Sequence, residues 1–565
     1  MTTKRYFVMM QVGLAAISIC AGPDLVRAQT SPSAALTGQV RSQEEGPMEG
    51  VLVSAKRAGS TVTITVVSDA RGRYSFPQNR LEPGQYSIRV RAVGYELERT
   101  GPAEVKAQTT AHLDLRLRKT LDLAYQLSNG EWLMSMPGTD EQKQGFLGCL
   151  SCHPLERIVR SRYNGPEFAQ VIQRMSTYAQ GSTPLRPQRR PSGASAGGDM
   201  EAPRGGMDRY LKQGEFAATI NLNAVSRWEY PLQTVPRPKG KATRVIITEY
   251  DLPRPEALPH DATVDPQGRV WYSDFGWQYL GMLDPQTGKI TELPVPLSDP
   301  KAPTGALDIG FDAEGNIWLA MMYQGVLARF DPKTQKFETW KSPKFGQGDA
   351  ARTAMVAPGR LNVDGKVWVG ASEEYQLDLK SGEWVAIDYK RDIPKDSPLA
   401  NRSFNSYGVG SDSKNNFYGM NLNGEFITRV DAKTMKTSLF PTPTRNSGPR
   451  RGHMDSQDRL WFAEFRGNKI GMFDTKTEKF QEYAISTPWT NPYDAILDKS
   501  GFAWAGGMSN DLVVRLNTKT GELTEYLLPR ATNIRRVDVD NSTNPPTFWV
   551  GNNLGAALVK VEPLE

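Results

Sequence analysis

The chain has 565 residues and a formal net charge of +6. A length several times that of a usual domain predicts two to four domains, one of which buries a substantial core. The 68 basic residues are scattered among 62 acidic residues and form no stripe with interleaved aromatic side chains. Nucleic acid is therefore excluded as an expected partner.

The N-terminus has the three parts of a secretory signal in the required order. Lys4 and Arg5 precede an apolar run over residues 6–21, and a small-residue cleavage site ends at Ala28. We therefore expect residues 1–28 to be a signal peptide that is cleaved near Ala28. The mature protein is expected to be periplasmic or secreted.

Two alternatives for the N-terminus are a membrane anchor and a lipoprotein. The apolar run is shorter than the ~20 residues that a spanning helix needs. Cys20, the lipidation candidate, follows Ile19, which is bulkier than the small residue that lipid-linked cleavage prefers. No later apolar stretch has spanning length, so no transmembrane segment is expected in the mature chain.

Residues 35–119 alternate apolar and polar residues between turn signals and predict the short strands of a small β-sandwich. The stretch Ser68-Asp-Ala-Arg-Gly-Arg-Tyr-Ser-Phe76, followed by Leu81-Glu-Pro-Gly-Gln-Tyr86 and Gly94-Tyr-Glu96, resembles the carboxypeptidase regulatory-like domain. The resemblance implies a seven-stranded, transthyretin-like sandwich without catalytic activity.

Residues 120–229 change to a helical pattern. Thr139 precedes acidic residues and predicts a helix cap. A second helix starts at Gly165-Pro166 and carries one apolar face, formed by Phe168, Val171, Ile172 and Met175. The tract 184–206 is rich in Pro, Gly, Ser and Arg and is predicted to be mobile. A short helix from Met207 follows, and residues 230–243 are predicted to be a linker.

The only cysteines of the mature chain lie in the motif Cys149-Leu-Ser-Cys152-His153. Two thiols that point the same way can add across the vinyl groups of a haem, and the adjacent imidazole reaches the iron. The sequence therefore predicts one covalently bound haem c with His153 as an axial ligand. Export favours this prediction, because the cytochrome maturation machinery acts outside the cytoplasm.

Two other chemistries use the same residue types. One is a thioredoxin-like redox pair, and the other is a zinc site, which requires a fourth ligand. The remaining histidines of the mature chain are His112, His260 and His453, and all three fall in other predicted domains.

The residues after the motif, from Phe168 to Met175 and on to Tyr210-Leu211 before Phe216, resemble short cytochrome c modules of larger periplasmic oxidoreductases. The resemblance implies that a Met after the second helix is the sixth ligand, for which Met175 is the first choice. Met200 and Met207 are alternatives, and Met175 also fits a purely structural role on the apolar helix face. A thioether opposite a histidine gives an electron-transfer haem with both axial positions closed.

Residues 244–565 repeat a unit of about 45 residues, which is typical of four-stranded propeller blades. One aromatic position recurs in every unit and is occupied by Trp271, Trp318, Trp368, Tyr418, Trp461, Trp504 and Trp549. The last unit lacks its outer strand, and the orphan segment 245–250 matches it. We therefore predict a seven-bladed β-propeller that the first strand closes, because closure removes the open sheet edges.

The units Pro259-His260-Asp…Asp274 and Arg459-Leu-Trp461-Phe-Ala-Glu464 resemble the streptogramin B (virginiamycin B) lyase family. The resemblance implies metal-assisted elimination in a cyclic depsipeptide, with a Glu-x-His that supplies a metal ligand and a general base, and a second Glu ligand. Glu464 matches the second ligand. Arg450 stands at the base position and Gly448 at the first ligand position.

Further departures weaken the match to the lyase pattern. Ser406 and Tyr407 replace the substrate-binding His, and His453 is three residues out of register. Arg450 is a poor base because a guanidinium stays protonated. His260, Asp274, Arg450 and Glu464 remain the candidates for a binding or catalytic site in the channel. A purely structural role for His260 and Glu464, as channel-lining repeat positions, is the alternative.

The sequence thus predicts a mainly β, multidomain protein: a transthyretin-like sandwich, a small α-helical cytochrome c domain and a seven-bladed propeller. The expected function is electron transfer, as an oxidoreductase component with a periplasmic redox partner protein. The propeller is expected to bind a small-molecule, glycan or peptide ligand. Alternatives are a streptogramin lyase-like C–O lyase with an accessory cytochrome, and a redox-sensing binding protein.

Overall fold

The computed structural model describes residues 34–190, 206–221, 230–371, 373–397, 399, 402, 404 and 406–565. The predicted signal peptide, Cys20 and Met200 lie outside the described residues. The described part of the chain is mainly β and multidomain, as predicted. It contains no helix that is both long and apolar enough to cross a membrane.

The first domain is a β-sandwich in which alternate side chains point into the core. In the strand Gly84–Arg91, for example, Tyr86 and Ile88 are buried between exposed neighbours. The strands are β1 (Ala34–Ser42), β2 (Gly46–Pro47), β3 (Leu52–Arg57), β4 (Val62–Val67), β5 (Arg73–Pro77), β6 (Gly84–Arg91), β7 (Tyr95–Leu97), β8 (Ala103–Val105), β9 (Ala111–His112) and β10 (Leu115–Lys119).

Two sheets form this sandwich. One sheet joins β1 to β2, β5, β9 and β10, and β7 pairs with β10. The other sheet runs in the order β4, β3, β6, β8. Val40, Val53, Tyr74 and Phe76 lie in the core between the two sheets. The sandwich predicted from residues 35–119 is confirmed, with more strands than the resemblance implied because several are very short.

The second domain is helical. Capping boxes at Ser128, Thr139 and Asn164 begin three of its helices, which confirms the cap predicted at Thr139. Phe168 and Ile172 are buried, as the predicted apolar face requires. The helices are α1 (Asn129–Ser135), α2 (Asp140–Gln144), α3 (Glu156–Val159), α4 (Gly165–Met175) and α5 (Met207–Ile220), with 3₁₀ turns at Leu123–Gln126 and Leu147–Ser151.

The third domain contains six four-stranded antiparallel sheets, blades 1 to 6, each meandering from an inner to an outer strand. Blade 1 is β12 (Pro259–Val264), β13 (Val270–Asp274), β14 (Tyr279–Asp284) and β15 (Lys289–Pro294). Blade 2 is β16 (Asp308–Phe311), β17 (Ile317–Met321), β18 (Val326–Asp331) and β19 (Lys336–Lys341). Blade 3 is β20 (Thr353–Ala357), β21 (Lys366–Ala371), β22 (Tyr375–Asp378) and β23 (Trp384–Ala386), with α6 (Leu361–Asp364) after its first strand.

The second half of the ring repeats the pattern. Blade 4 is β24 (Gly408–Ser411), β25 (Phe417–Met420), β26 (Phe426–Val430) and β27 (Thr437–Pro441). Blade 5 is β28 (Pro449–Met454), β29 (Arg459–Glu464), β30 (Lys469–Asp474) and β31 (Lys479–Ala484). Blade 6 is β32 (Pro492–Leu497), β33 (Phe502–Gly507), β34 (Leu512–Asn517) and β35 (Leu523–Leu527).

Blade 7 closes the ring with strands from both ends of the domain. It consists of β36 (Val537–Asp540), β37 (Thr547–Asn552) and β38 (Ala557–Pro563), and its outer strand is β11 (Val245–Asp251). Strand β11 pairs antiparallel with β38 along its whole length, and the inner strands of blades 1 and 7 are in contact. The predicted closure by the first strand is therefore confirmed.

The same strand joins the propeller to the sandwich. The free edge of β11 pairs antiparallel with β4, from Ile246 opposite Val66 to Tyr250 opposite Val62. Blade 7 and one sandwich sheet thus form a continuous eight-stranded sheet. This pairing covers two edges that would otherwise be exposed.

The recurring aromatic residue has one structural role in four blades. In each of them the indole Nε1 donates a hydrogen bond to an aspartate six residues earlier, in the turn between the first two strands. The pairs are Trp271–Asp265, Trp318–Asp312, Trp461–Asp455 and Trp504–Asp498, at 2.8–3.1 Å. In blade 4 the Tyr418 hydroxyl reaches Asp412 at 3.2 Å. The repeat therefore reflects a buried turn anchor and not a binding residue.

Candidate functional site

The Cys149/Cys152 motif lies on the 3₁₀ turn Leu147–Ser151, between α2 and α3. Both cysteines are half-buried, and neither forms a disulfide bond. Burial raises the pKa of Cys149 to about 12, and the neighbouring Cys152 adds to the rise. A thiol with so high a pKa is neutral at physiological pH, whereas a thioredoxin-like nucleophile needs a lowered pKa. The geometry therefore does not favour the redox-pair alternative.

One ring nitrogen of His153 has a hydrogen-bond partner, and the other has none among the described residues. Its Nδ1 lies 2.9 Å from the carbonyl oxygen of Pro154. A carbonyl only accepts, so Nδ1 carries the proton and Nε2 presents a lone pair. Nε2 is buried without a hydrogen-bond partner among the described residues. Burial lowers the pKa of His153 and keeps the imidazole neutral, which is the state that binds a metal.

The donor set fits a haem better than a bare metal ion. Within the described ranges, no three side chains of His, Cys, Asp or Glu converge on one point. A structural zinc site needs four converging ligands. A haem c is held differently, by two thiols at the rim of the macrocycle and one nitrogen at its centre. Cys149, Cys152 and the Nε2 of His153 offer donors of these types.

The structure describes two of the three predicted sixth ligands, Met175 and Met207. Met175 ends α4 and is half-buried. Met207 begins α5 with 43% of its surface exposed, and Met200 lies outside the described residues. Met136 and Met508 were missed by the sequence reasoning, although both are buried in the apolar cluster against which Cys149 packs. No spacing rule points to them, because one precedes the motif and the other belongs to blade 6.

That cluster joins the helical domain to the propeller, and we call it the interdomain cluster. Its helical-domain members include Trp132, Leu147, Leu150 and Phe168, and its propeller members are Leu422, Phe465, Tyr493 and Met508. The contact is close, because a Cβ on Gly130 of α1 would lie 2.9 Å from Asn510 of blade 6. The cysteine motif therefore lies beside the propeller face.

A second element covers the other half of that face. Residues 178–190, which we call the strap, run over blades 1 and 2. Gln188 donates Nε2 to the carbonyl of Gly276 at 3.1 Å and accepts from the Thr304 amide at 2.9 Å. Arg186 donates to the same Gly276 carbonyl. Residues 184–190 thus differ from the mobile tract predicted over 184–206, because their polar side chains bind backbone groups. Residues 191–205 lie outside the described residues.

Beneath this cover, a hydrogen-bonded chain crosses the propeller channel. Arg451 donates Nη1 to Asp261 at 2.7 Å, and Asp261 lies 2.5 Å from His260 Nδ1. His260 Nε2 lies 3.3 Å from the Tyr493 hydroxyl, which contacts the Tyr407 hydroxyl. His260 and Asp261 are at most 1% exposed. A substrate therefore has no open route to His260 from the covered face.

Arg450 lies at the end of this chain nearest the helical domain. Its guanidinium carbon is 3.9 Å from the ring centroid of Tyr493, 4.5 Å from that of Phe465 and 4.7 Å from that of Tyr407. Its Nη1 is 3.5 Å from the sulfur of Met508. The side chain is fully buried. Among the four predicted channel residues, the structure brings together His260 and Arg450, which share Tyr493.

Asp274 lies apart from that pair and anchors a loop. It accepts hydrogen bonds from the backbone amides of Leu258, Gly276 and Trp277 at 3.0–3.1 Å, and from Arg254 Nη2 at 2.5 Å. A carboxylate with four donors is held in place and has little capacity left for catalysis. The buried turn gives Asp274 a structural role.

Glu464 is held among residues of its own blade, blade 5. It ends β29 opposite Lys469, and its carboxyl is fully buried beside Glu482 of the outer strand. Burial, together with the charge of Glu482, raises its pKa to about 8, and Lys469 opposes the rise. At neutral pH this carboxyl is mostly protonated, so it is a poor cation ligand.

Glu464→Gln is expected to flatten the pH dependence of stability. The folded-state pKa of Glu464, about 8, exceeds the value of 4.5 expected when unfolded, so the folded state holds the proton more tightly. The stability that the protonated Glu464 adds to the folded state is fully present below about pH 4.5 and is lost as the pH rises through 8. Thermal melts across that range should fall less steeply for Glu464→Gln than for wild type. Glu338→Gln, on an exposed strand, should leave the slope unchanged, and equal slopes in all three proteins would contradict the assignment.

Comparisons with known proteins found one matching family model and several similar solved structures. A family model of the carboxypeptidase regulatory-like domain matches residues 35–118. Among solved structures, a streptogramin B lyase is 21% identical, with a TM-score of 0.48, and covers 57% of this chain and 99% of its own. A catalytically inactive virginiamycin B lyase from Staphylococcus aureus with quinupristin is 19% identical, with a TM-score of 0.46. It covers 56% of this chain and 99% of its own. A comparison with curated protein sequences found no match.

Proposed function

We propose that the chain is an exported c-type cytochrome that transfers electrons as a component of an oxidoreductase. One haem c is held by Cys149 and Cys152, with His153 as an axial ligand. The observation that carries the proposal is the buried Nε2 of His153, whose lone pair has no hydrogen-bond partner among the described residues. Its placement directly after two half-buried cysteines supports the same assignment.

In this proposal the bound haem supplies one-electron exchange, and the chain supplies position and environment. The Pro154 carbonyl fixes the tautomer and orientation of His153. The interdomain cluster packs against Cys149 and makes its surroundings partly apolar. The partner is a periplasmic redox protein, and the signal peptide predicted over residues 1–28 directs the chain to that compartment.

The propeller, in this proposal, carries the haem domain and leaves one end of its channel open to a ligand. His260 and Arg450 are buried beneath the cover, whereas the His453 side chain is 18% exposed and that of Arg536 is 21% exposed. A small-molecule, glycan or peptide ligand is therefore expected to enter at the end of the channel that carries His453 and Arg536.

The electron-transfer function is tested by potentiometric titration of the purified full chain. The protein is expected to accept and release one electron per chain reversibly, with no change in oligomeric state. A protein that carries haem but binds carbon monoxide rapidly in its ferrous form would contradict an electron-transfer haem, because that behaviour requires an open sixth position.

Met175→Ala is expected to remove the sixth ligand. The ferric wild-type protein should show the weak far-red band of sulfur-to-iron charge transfer, and the variant should lose it and have a lower reduction potential. Met207→Ala, which changes an exposed thioether, is the matched control and should keep the band. If the band persists in Met175→Ala, the ligand is Met200, Met207, Met136 or Met508, and single alanine variants of these identify it.

No ring opening of a streptogramin B antibiotic is expected with added magnesium. Arg450 occupies the base position, stays protonated and lies stacked among aromatic rings. Glu464 is buried beside Glu482, and its pKa is raised. The assay follows the cyclic substrate by mass spectrometry. Magnesium-dependent opening that Glu464→Ala eliminates would overturn this expectation and establish the lyase alternative.

A further inference from the structure

A histidine at the open end of the channel is held by an aspartate of the next blade. His453 Nε2 of blade 5 lies 2.9 Å from the carboxylate of Asp494 in blade 6. A carboxylate only accepts, so Nε2 carries the proton and Nδ1 presents a lone pair. Nδ1 has no hydrogen-bond partner among the described residues, and the His453 side chain is 18% exposed. A group that enters the channel here therefore meets a hydrogen-bond acceptor.

Arg536 of blade 7 lies beside the same aspartate. The amide of Val537, the next residue, donates at 3.2 Å to the Asp494 oxygen that His453 also bonds. Within the described part of the chain, the Arg536 side chain bonds only through Nη1, to Asp308 and to a backbone carbonyl. The side chain is 21% exposed. Its Nε and Nη2 thus form an unused edge of the kind that binds both oxygens of a carboxylate.

The acidic groups of this network are already engaged. Three buried aspartates accept at least one hydrogen bond from the protein on each carboxylate oxygen: Asp261, Asp308 and Asp494. Burial alone would raise the pKa of Asp494, yet the neighbouring His453 and two arginine charges hold it below its ordinary value. A cationic ligand would have to displace one of the bound donors. A carboxylate ligand needs only the unused guanidinium edge, so the geometry favours an anion over an amine.

The inner strand of blade 4 leaves space on the side that faces blade 5. A Cβ on Gly408 would lie 2.9 Å from Arg451, so the two blades are in close contact at that level. Gly410 lies two residues further along, on the same side of its strand. A Cβ on Gly410 would meet no atom within 4 Å. Because the inner strands run in the same direction and His453 also follows Arg451 by two residues, this space lies toward the histidine.

We propose that this end of the channel binds a hydroxylated carboxylate, an inference that rests on the ligand entry proposed above for this end. The Nε–Nη2 edge of Arg536 donates to the carboxylate, and His453 Nδ1 accepts from a neighbouring hydroxyl. Asp494 keeps the imidazole in the tautomer that this contact needs. Uronic acid sugars and small hydroxy acids share this chemistry.

Calorimetric titration of the purified full chain with glucuronate, lactate and glucose tests the proposal. Glucose, which has no carboxylate, is expected to bind at least about tenfold more weakly than the tighter of the two acids. Tighter binding of glucuronate than of lactate assigns the site to an acidic sugar, and the reverse assigns it to a small hydroxy acid. If neither acid binds, or if glucose binds as tightly as the tighter acid, the proposal is wrong.

Three variants locate the site, with the tighter acid as the probe. Arg536→Gln and His453→Ala each remove one contact and should weaken binding about tenfold. Gly410→Leu fills the space toward blade 5 without removing a polar group and should weaken binding as strongly. Arg459→Gln is the matched control and should keep the wild-type affinity. Arg459 also belongs to blade 5, but it bonds Asp455 of the turn at 2.7 Å and is 29% exposed.

The outcomes separate this proposal from the proposed function. Wild-type affinity in Arg536→Gln, His453→Ala or Gly410→Leu would overturn the site. If Arg536→Gln does not fold, Arg536→Lys keeps the charge beside Asp308 but loses the planar edge, and unchanged affinity in that variant counts equally against the site. The haem spectrum of the same samples reports on the proposed cytochrome independently. Haem without carboxylate binding ends this inference alone, whereas binding without haem ends the electron-transfer function and leaves the site in place.

Discussion

Cys149→Ala/Cys152→Ala protein is expected to lose all covalent haem. Wild-type protein from a host with cytochrome maturation should give a haem-staining band after denaturing electrophoresis, because thioether bonds survive denaturation. The double variant should give none, and each single variant should give a weaker band or none. The two thiols are the only cysteines that remain after removal of residues 1–28, so no other thiol can replace them.

Ser151→Ala is the matched control for this experiment. Ser151 lies between the two cysteines, and its hydroxyl bonds the Gly148 carbonyl at 2.9 Å. It offers no thiol, so its loss should leave the stained band intact. Staining that survives in the double variant would show that the haem is held elsewhere and would contradict the attachment site.

Leu558→Ala is expected to have the largest effect on the stability of the propeller. Leu558 is fully buried on β38, opposite Tyr250 of the closing strand β11. It packs in one core cluster with Tyr250, Leu252 and Trp549. A buried Leu→Ala change costs about 2–5 kcal/mol, because the site cannot collapse around the cavity. The same change loosens the strand that also pairs with the sandwich.

Leu564→Ala is the control, since Leu564 is 46% exposed just beyond the same strand. Thermal and denaturant unfolding should show a marked loss of stability for Leu558→Ala and almost none for Leu564→Ala. Limited proteolysis should cut Leu558→Ala near β11. Equal stability of the two variants would mean that ring closure contributes little to the fold.

Much of the fold was predictable because it follows local patterns. A recurring aromatic residue marks each blade, and in four blades it is a Trp whose indole donates to the Asp of the preceding turn. The missing outer strand of the last unit and the orphan strand before the first unit predicted the closure that β11 makes. Alternation of apolar residues predicted the sandwich in the same way.

The contacts between domains were not predicted, because no local sequence pattern marks them. The pairing of β11 with β4 uses backbone groups of a sheet edge, and edge pairing leaves no side-chain signature. Residues 184–206 were predicted to be mobile from their Pro, Gly, Ser and Arg content, yet Arg186 and Gln188, in the part of this tract that the structure describes, bind propeller carbonyls. Composition reports what a segment can bury by itself, not which surface it meets.

The sequence predicted the residues of the candidate site but not the side chains that surround them. The Cys-x-x-Cys-His spacing identified Cys149, Cys152 and His153 without a structure. The resemblance to the lyase family grouped His260, Asp274, Arg450 and Glu464, but only His260 and Arg450 meet at Tyr493. Asp274 is bound by the amides of its own loop and Glu464 lies beside Glu482 of its own blade, which sequence position alone does not reveal.

The optical spectrum of the purified full chain, before and after dithionite, tests the central claim most directly. A c-type haem with both axial positions closed predicts an intense Soret band in the oxidised protein, with sharp α and β bands appearing on reduction. The absorbance should correspond to one haem per chain. A colourless protein from a host that matures other c-type cytochromes, with Cys149 and Cys152 titrating as free thiols, would contradict the account.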